Sequence, residues 1–162
     1  MTGGQRAAPS SPEASRRMQG VRQKNTSAEK LLRSRLHALG LRYRVQVPVL
    51  GKPRRVSDIV FVSPRVVVFV DGCFWHGCPE HATWPKQNAA FWRAKIVTNQ
   101  ARDRDTDERL RAAGWNVVRV WAHEPPEQAA SRVAKVIAKC RPACRLVSGP
   151  RRMRHLRRRI TG

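Results

Sequence analysis

From Ala28 onward apolar residues recur at helical spacing. Ala28, Leu31, Leu32, Leu36 and Leu39 share one face, and Gly40 supplies the stop. Thr26-Ser27-Ala28-Glu29 fits a capping box, in which the Thr hydroxyl and the Glu carboxylate each satisfy a backbone N–H left over by the first turn. The period then shortens to two. Residues 43–49 alternate apolar with polar, and Pro48, which has no N–H to give a ladder, predicts a strand at a sheet edge. Residues 56–62 and 66–70 flank Ser63-Pro64 and predict a hairpin. Val66-Val67-Val68-Phe69-Val70 is apolar throughout, which predicts burial on both faces.

Residues 72–87 have no period and read as an ordered loop. A helical segment over 88–113 carries Trp92, Ile96 and Leu110 and ends at Gly114; residues 115–121 predict another strand and 128–138 a last helix. The order α-β-β-β-α-β-α describes an α/β domain, a mixed sheet flanked by helices. A chain of 162 residues has room for one such domain, over residues 25–140. Residues 1–24, rich in Gly, Pro, Ser and Arg, read as a flexible basic arm. Residues 141–162 read as a disordered tail, with seven Arg and no acid from Arg145 onward. No apolar run approaches the roughly 20 residues of a membrane span, and the N-terminus lacks the apolar stretch of a secretory signal. The expected address is the cytoplasm.

Charge narrows the function. Thirty-three Lys and Arg stand against eleven Asp and Glu, a formal net charge of +22. A chain this basic attracts polyanions, with nucleic acid first and an acidic protein or membrane surface behind it.

The densest chemistry lies in Asp71-Gly72-Cys73-Phe74-Trp75-His76-Gly77-Cys78-Pro79-Glu80-His81. Cys73, Cys78 and His81 offer thiolate and imidazole in the combination tetrahedral zinc takes, and His123, just past the strand at 115–121, is the candidate fourth ligand. The alternatives are buried thiols beside surface imidazoles, or a site built on Cys140 and Cys144, which the spacing reads more readily as packing residues of the last helix.

Val68-Phe69-Val70-Asp71-Gly72-Cys73-Phe74-Trp75-His76 resembles the signature of the very-short-patch-repair (Vsr) mismatch endonucleases. So do Phe91-Trp92 with Lys95-Ile96, Asn99, Arg102-Asp103, and Gly114-Trp115 leading to Val120-Trp121. The resemblance runs in order from about Arg17 to His123. It implies a restriction-endonuclease-like fold, a structural zinc and a magnesium-dependent site. The implied substrate is duplex DNA with a T:G mismatch left by deamination of 5-methylcytosine, nicked 5′ to the T.

The same resemblance assigns roles. Asp58, an acid among Val56, Ile59 and Val60, would hold Mg²⁺ together with the Val70 carbonyl; otherwise it is an outward strand carboxylate. His76 would be the general base, an imidazole being suited to that work near neutral pH; a zinc ligand is its alternative. Glu29 matches an acid near the cleavage centre, or serves only as the helix cap. Asp71 stands where the resemblance leads one to expect histidine, and a carboxylate there could coordinate or position Mg²⁺. Lys52 to Ser57 before Asp58 also departs from the expected run of proline into the acid, and His123 replaces a cysteine. Phe74, Trp75 and Trp92 would wedge into the base stack beside the mismatch, where opening costs least, or belong to the core. Lys95 and Asn99, one turn apart, would face the DNA groove together, or lie on a solvated helix face.

The expected partner is mismatched double-stranded DNA, bound by a nucleoid-associated monomer with no membrane contact and with room for repair helper proteins. Two rivals stand beside this reading: a non-catalytic zinc DNA-binding module, and a related nuclease of restriction or recombination.

Overall fold

The computed structural model describes residues 24–81, 86 and 88–140. The expected basic arm (but for Lys24), the Arg-rich tail with Cys144, and residues 82–85 and 87 of the expected loop lie outside the described residues. Helix α1 spans Ser27–Ala38 and strands β1, β2 and β3 span Arg44–Leu50, Arg55–Phe61 and Val66–Asp71. Helix α2 (Ala89–Ala112), strand β4 (Asn116–Trp121) and helix α3 (Pro126–Cys140) complete the order, which is the one the sequence predicts. The capping box is present: Thr26 Oγ1 accepts from the Glu29 N–H at 3.3 Å, and Glu29 Oε1 accepts from the Thr26 N–H at 3.3 Å.

The four strands lie in the order β1-β2-β3-β4. The first two pairings are antiparallel and β3–β4 is parallel. β1 occupies an edge, where the missing N–H of Pro48 does least harm to a ladder. A parallel neighbour needs a long crossover, and the stretch from Gly72 through α2 provides it. Burial of β3 differs from the expectation: Val66, Val67 and Val68 are buried, but Phe69 and Val70 are partly exposed, because the strand runs out of the core into a cavity.

The two faces of the sheet are packed differently. On one, α1 and α3 cover a large apolar cluster: Leu32 and Leu36 meet Ile59, Phe61, Val66, Val68, Val118 and Val120, with Ala129, Ala130, Val133 and Ile137 from α3. Full burial of the Leu, Ile, Val and Phe side chains among them contributes about 1.5–3 kcal/mol each. On the other face Val60, Val67 and Leu110 form a small cluster. There α2 is held largely by polar groups, with Asn99 and Thr106 among its buried residues. Arg55 Nε donates to Thr106 Oγ1 at 2.9 Å and Arg119 Nε to Asp107 Oδ1 at 3.1 Å. Among the described residues no buried side-chain nitrogen or oxygen lacks a partner, as such packing requires. None of their helices is long and apolar enough to cross a membrane.

Candidate active site and metal centre

The β2–β3 ladder runs from Phe61↔Val66 to Ile59↔Val68 and stops. Asp58 is the next residue of β2, and its side chain takes over where the ladder ends. Its Oδ2 accepts the Val70 N–H at 2.8 Å, and its Oδ1 accepts from Gln46 Nε2 at 3.1 Å. Ser57 Oγ lies 2.9 Å from the carbonyl oxygens of both Ile59 and Val68. Gln46 reaches Asp58 from a left-handed backbone, φ 52°, a conformation that costs a non-glycine residue about 1–3 kcal/mol and is found where function compensates. Burial pushes the Asp58 carboxyl above its ordinary range, and nearby Glu29 and Asp71 add to that. The Val70 and Gln46 hydrogen bonds work in the opposite direction. A bound cation would reverse the balance and hold the acid ionised.

Glu29 is 3% exposed. Its oxygens accept from the Asn25 and Thr26 N–H groups, and its Oε2 pairs with Arg33 at 2.8 Å. It caps the helix and also borders the cavity that Asp58 lines, so the two readings of this residue are compatible.

His76 sits in a tight loop. Its N–H donates to the Gly72 carbonyl at 3.1 Å, and the Cys78 N–H to that of Cys73 at 2.9 Å. Gly77 turns at φ 64°, and a Cβ there would stand 2.7 Å from Gln100 Nε2 and 2.9 Å from Ile96 Cγ2. Only glycine lets the loop lie this close to α2. Two α2 amides then fasten it: Asn99 Nδ2 donates to the Trp75 carbonyl at 2.9 Å, and Gln100 Nε2 to that of His76 at 3.1 Å.

His76 Nδ1 lies 2.6 Å from Asp103 Oδ2 and 3.6 Å from Asp71 Oδ1. Burial works upward on the Asp103 carboxyl, but His76 and Arg119 outweigh it and leave the acid below its ordinary range. An ionised carboxylate only accepts, so in the neutral imidazole Nδ1 carries the hydrogen and Nε2 keeps its lone pair. Arg119 Nη1 donates to both oxygens of Asp71 at 2.9 Å. Burial raises the Asp71 pKa, with Arg119 and His76 offsetting part of the rise. For Arg119, burial acts downward, but Asp71 and Asp107 more than compensate, so the guanidinium stays charged.

Glu29, Asp58, Asp71, His76 and Asp103 border one open cavity of about 700 Å³, rimmed by Lys24, Arg54, Lys95 and Arg102. Acids at the floor and cations at the rim suit a phosphodiester backbone drawn toward a cation-binding centre.

Beside it, Cys73, Cys78, His81 and His123 bring their ligand atoms within 4.8 Å of one another. His123 Nδ1 stands 3.1 Å from Cys73 Sγ and 3.8 Å from Cys78 Sγ, with His81 Nδ1 3.9 Å from Cys78 Sγ. Zinc bonds of about 2.0–2.3 Å give tetrahedral edges of about 3.3–3.8 Å, so the donor set fits a four-coordinate ion after small adjustments. Burial and the neighbouring Cys78 push the Cys73 thiol up, which a coordinated cation would reverse. His76 belongs to the other cluster, with Asp71 and Asp103. Cys140 packs against the apolar core.

Phe74, Trp75 and Trp92 meet edge to face, with centroids 5.2, 5.3 and 5.9 Å apart, and Phe91 joins Trp92 at 5.2 Å. All are partly exposed and none belongs to either apolar cluster. Lys95 and Asn99 both border the cavity but are not equally open to it. Lys95 is exposed, whereas Asn99 is 6% exposed, because the Trp75 carbonyl of the tight loop takes its amide.

Sequence reasoning assigned no role to Gln46, Asp103 or Arg119. Arg119 carried a signal: a cation between Val118 and Val120, opposite Phe69 in the parallel register. Asp103 was visible only as part of the Arg102-Asp103 pair, and nothing in residues 44–50 marked Gln46.

Comparison with known proteins adds a family likeness. Residues 10–81 match the family profile described as DNA mismatch endonuclease Vsr. The chain is 43% identical over 132 residues to the type II nicking enzyme V.NaeI of Lentzea aerocolonigenes, covering 80% of each chain. It is 48% identical over 118 residues to the type II nicking enzyme V.XorIIP of Xanthomonas oryzae pv. oryzae, covering 70% of this chain and 83% of the relative. With the DNA mismatch endonuclease Vsr of Escherichia coli K12 it shares 38% identity over 112 residues, 66% of this chain and 67% of the other.

Proposed function

The chain belongs to the DNA mismatch endonuclease Vsr family, and we propose that it nicks one strand of duplex DNA 5′ to the T of a T:G mismatch, initiating very short patch repair. The observation that carries this reading is the convergence of Asp58, His76 and Asp103 on one cation-rimmed cavity with a half-buried aromatic cluster at its side. The relatives V.NaeI and V.XorIIP bear the name of nicking enzymes, which supports single-strand scission over the rival of a non-catalytic module.

Asp58, with the Val70 carbonyl, would hold a magnesium ion, whose chemistry is to stabilise charge on the phosphate oxygens and lower the pKa of a bound water. His76 Nε2 takes the proton of the attacking water as its oxygen bonds to phosphorus and the scissile P–O bond breaks. Asp103 holds Nδ1 and stabilises the imidazolium that forms, a task it can perform because it stays ionised. Glu29 borders the same cavity and sets a second carboxylate near Asp58. Lys95, with Lys24, Arg54 and Arg102, draws the phosphates in. Asn99 acts from beneath, fixing the carbonyl of Trp75.

Phe74, Trp75 and Trp92 enter the stack at the mismatch, where unpairing is cheapest. A zinc ion on Cys73, Cys78, His81 and His123 would brace the loop that carries both the base and the aromatics. The folded unit, residues 25–140, acts as a cytoplasmic monomer, since one asymmetric mismatch offers no two-fold axis to match; the arm and tail add charge.

Nicking gels and binding curves on T:G and T:A duplexes test the proposal. Wild type should nick T:G duplex and leave T:A duplex whole. Trp75→Ala should weaken T:G binding by about 1–3 kcal/mol, the worth of one stacked base, and leave T:A binding nearly unchanged. Equal nicking of both duplexes, or equal losses of affinity, would contradict the mismatch reading.

A further inference from the structure

Asp71, His76 and Asp103 gather three ligating atoms within 4.8 Å, a spacing at which carboxylates and an imidazole can share a divalent ion. Arg119 has already taken that position. Its Nη1 donates to both Asp71 oxygens at 2.9 Å, its Nη2 lies 3.4 Å from Asp103 Oδ1, and its Nη2 donates to the Asp103 carbonyl at 3.3 Å. Its Nε donates to Asp107 Oδ1 at 3.1 Å, and Phe69 lies against the guanidinium at 5.0 Å. A planar fork with donors spread over three carboxylates and one face on a ring is fixed in place.

Without that cation, Asp71 and Asp103 would be two carboxylates competing for one imidazole nitrogen, Oδ1 of Asp71 being only 3.6 Å from His76 Nδ1. They would also form an open pincer for a metal ion. An ion taken up there would bind His76 through Nδ1, break its bond to Asp103 and turn the ring. With Arg119 present, both Asp71 oxygens are engaged, and Asp103 Oδ2 is left to His76 alone.

We propose, building on the roles given above to Asp58 and His76, that Arg119 is a positioning residue: a built-in cation that closes the Asp71–His76–Asp103 cluster to divalent ions and so preserves the His76–Asp103 pair. Asp71 then serves as the anchor of Arg119 and not as a ligand of the catalytic metal.

The test is to count Mn²⁺ bound to the zinc-loaded full-length chain by electron paramagnetic resonance, beside single-turnover nicking of T:G duplex. Asp71→Asn, isosteric and with Arg119 intact, should leave the number of bound Mn²⁺ unchanged. Arg119→Gln should gain one Mn²⁺, which the double variant Asp71→Asn/Arg119→Gln loses again. Its nicking rate should fall by about 10–100-fold, the usual effect of losing a group that orients a catalytic imidazole, while duplex affinity stays within about twofold. Arg119→Lys keeps a charge in place and should gain no Mn²⁺.

Loss of one Mn²⁺ from Asp71→Asn overturns the proposal, because Asp71 would then be a ligand. A folded Arg119→Gln chain with no added ion overturns it equally. If Arg119→Gln does not fold, the Asp71→Asn count decides alone. Nicking that survives Asp58→Ala would remove the underlying site reading instead, and that variant leaves the count at Asp71 to be read separately.

Discussion

The two faces of this sheet do different work. Under α1 and α3 the side chains are apolar and small enough to interlock, and the strands they cover contribute Ile59, Phe61, Val66, Val68, Val118 and Val120. Under α2 the same three strands contribute Asp58, Asp71 and Arg119, and the helix is tied down by guanidinium and amide contacts. Apolar burial is non-directional and stabilises the domain. Ionic and hydrogen-bonded contacts contribute less net stability, since desolvation offsets their attraction, but they fix orientation. The strand period of two lets one segment serve both faces: Ile59 supports the core while its neighbour Asp58 borders the polar cavity.

That division can be broken from either side. The largest effect should come from Cys78→Ala, since a structural zinc contributes on the order of 10 kcal/mol to the segment it organises. Zinc content should fall and nicking should vanish, while the apolar core still unfolds in one cooperative transition; Cys140→Ala should keep its zinc. Unchanged zinc in Cys78→Ala, read by metal analysis, would show the ligands to be wrong.

Next in size is His76→Ala. Its nicking rate should drop by about 10²–10⁴-fold, the general-base contribution, with zinc retained and melting temperature little changed. Leu36→Ala should do the reverse. Leu36 is fully buried beneath α3, so its truncation should cost about 2–5 kcal/mol of stability in denaturant titration while the surviving folded fraction nicks at the wild-type rate. A Leu36→Ala chain with normal stability but impaired catalysis would dissolve the distinction between the faces.

The apolar face was legible in the sequence and the polar face only partly so. Residues such as Leu32, Leu36, Val133 and Ile137 recur at a period that only a buried helix face explains, and Pro48 marked its own edge. The grouping of Cys73, Cys78 and His81 and the place of Asp58 on the cavity were also readable, because soft ligands close together and an acid among β-branched residues stand out from a core pattern. Asp103 and Asn99 were harder. Both lie on a helix whose neighbours are nearly all polar, so no period separates a buried amide or a carboxylate paired with His76 from solvated positions. Gln46 was hidden for another reason: its role depends on a left-handed residue within an edge strand, and glutamine carries no local signal for that conformation.

If Asp58 holds the metal on which hydrolysis depends, its charge serves catalysis at a point where the fold itself does not depend on it. Single-turnover nicking of T:G duplex by Asp58→Asn, with binding measured on the same duplex, tests this most directly. The amide keeps the shape and can still accept the Val70 N–H but loses the charge. Affinity should stay within about twofold of wild type with no nicking at any magnesium concentration, because a neutral amide cannot supply the anionic ligand the ion requires. Nicking that returns to the wild-type rate as magnesium is raised would contradict it.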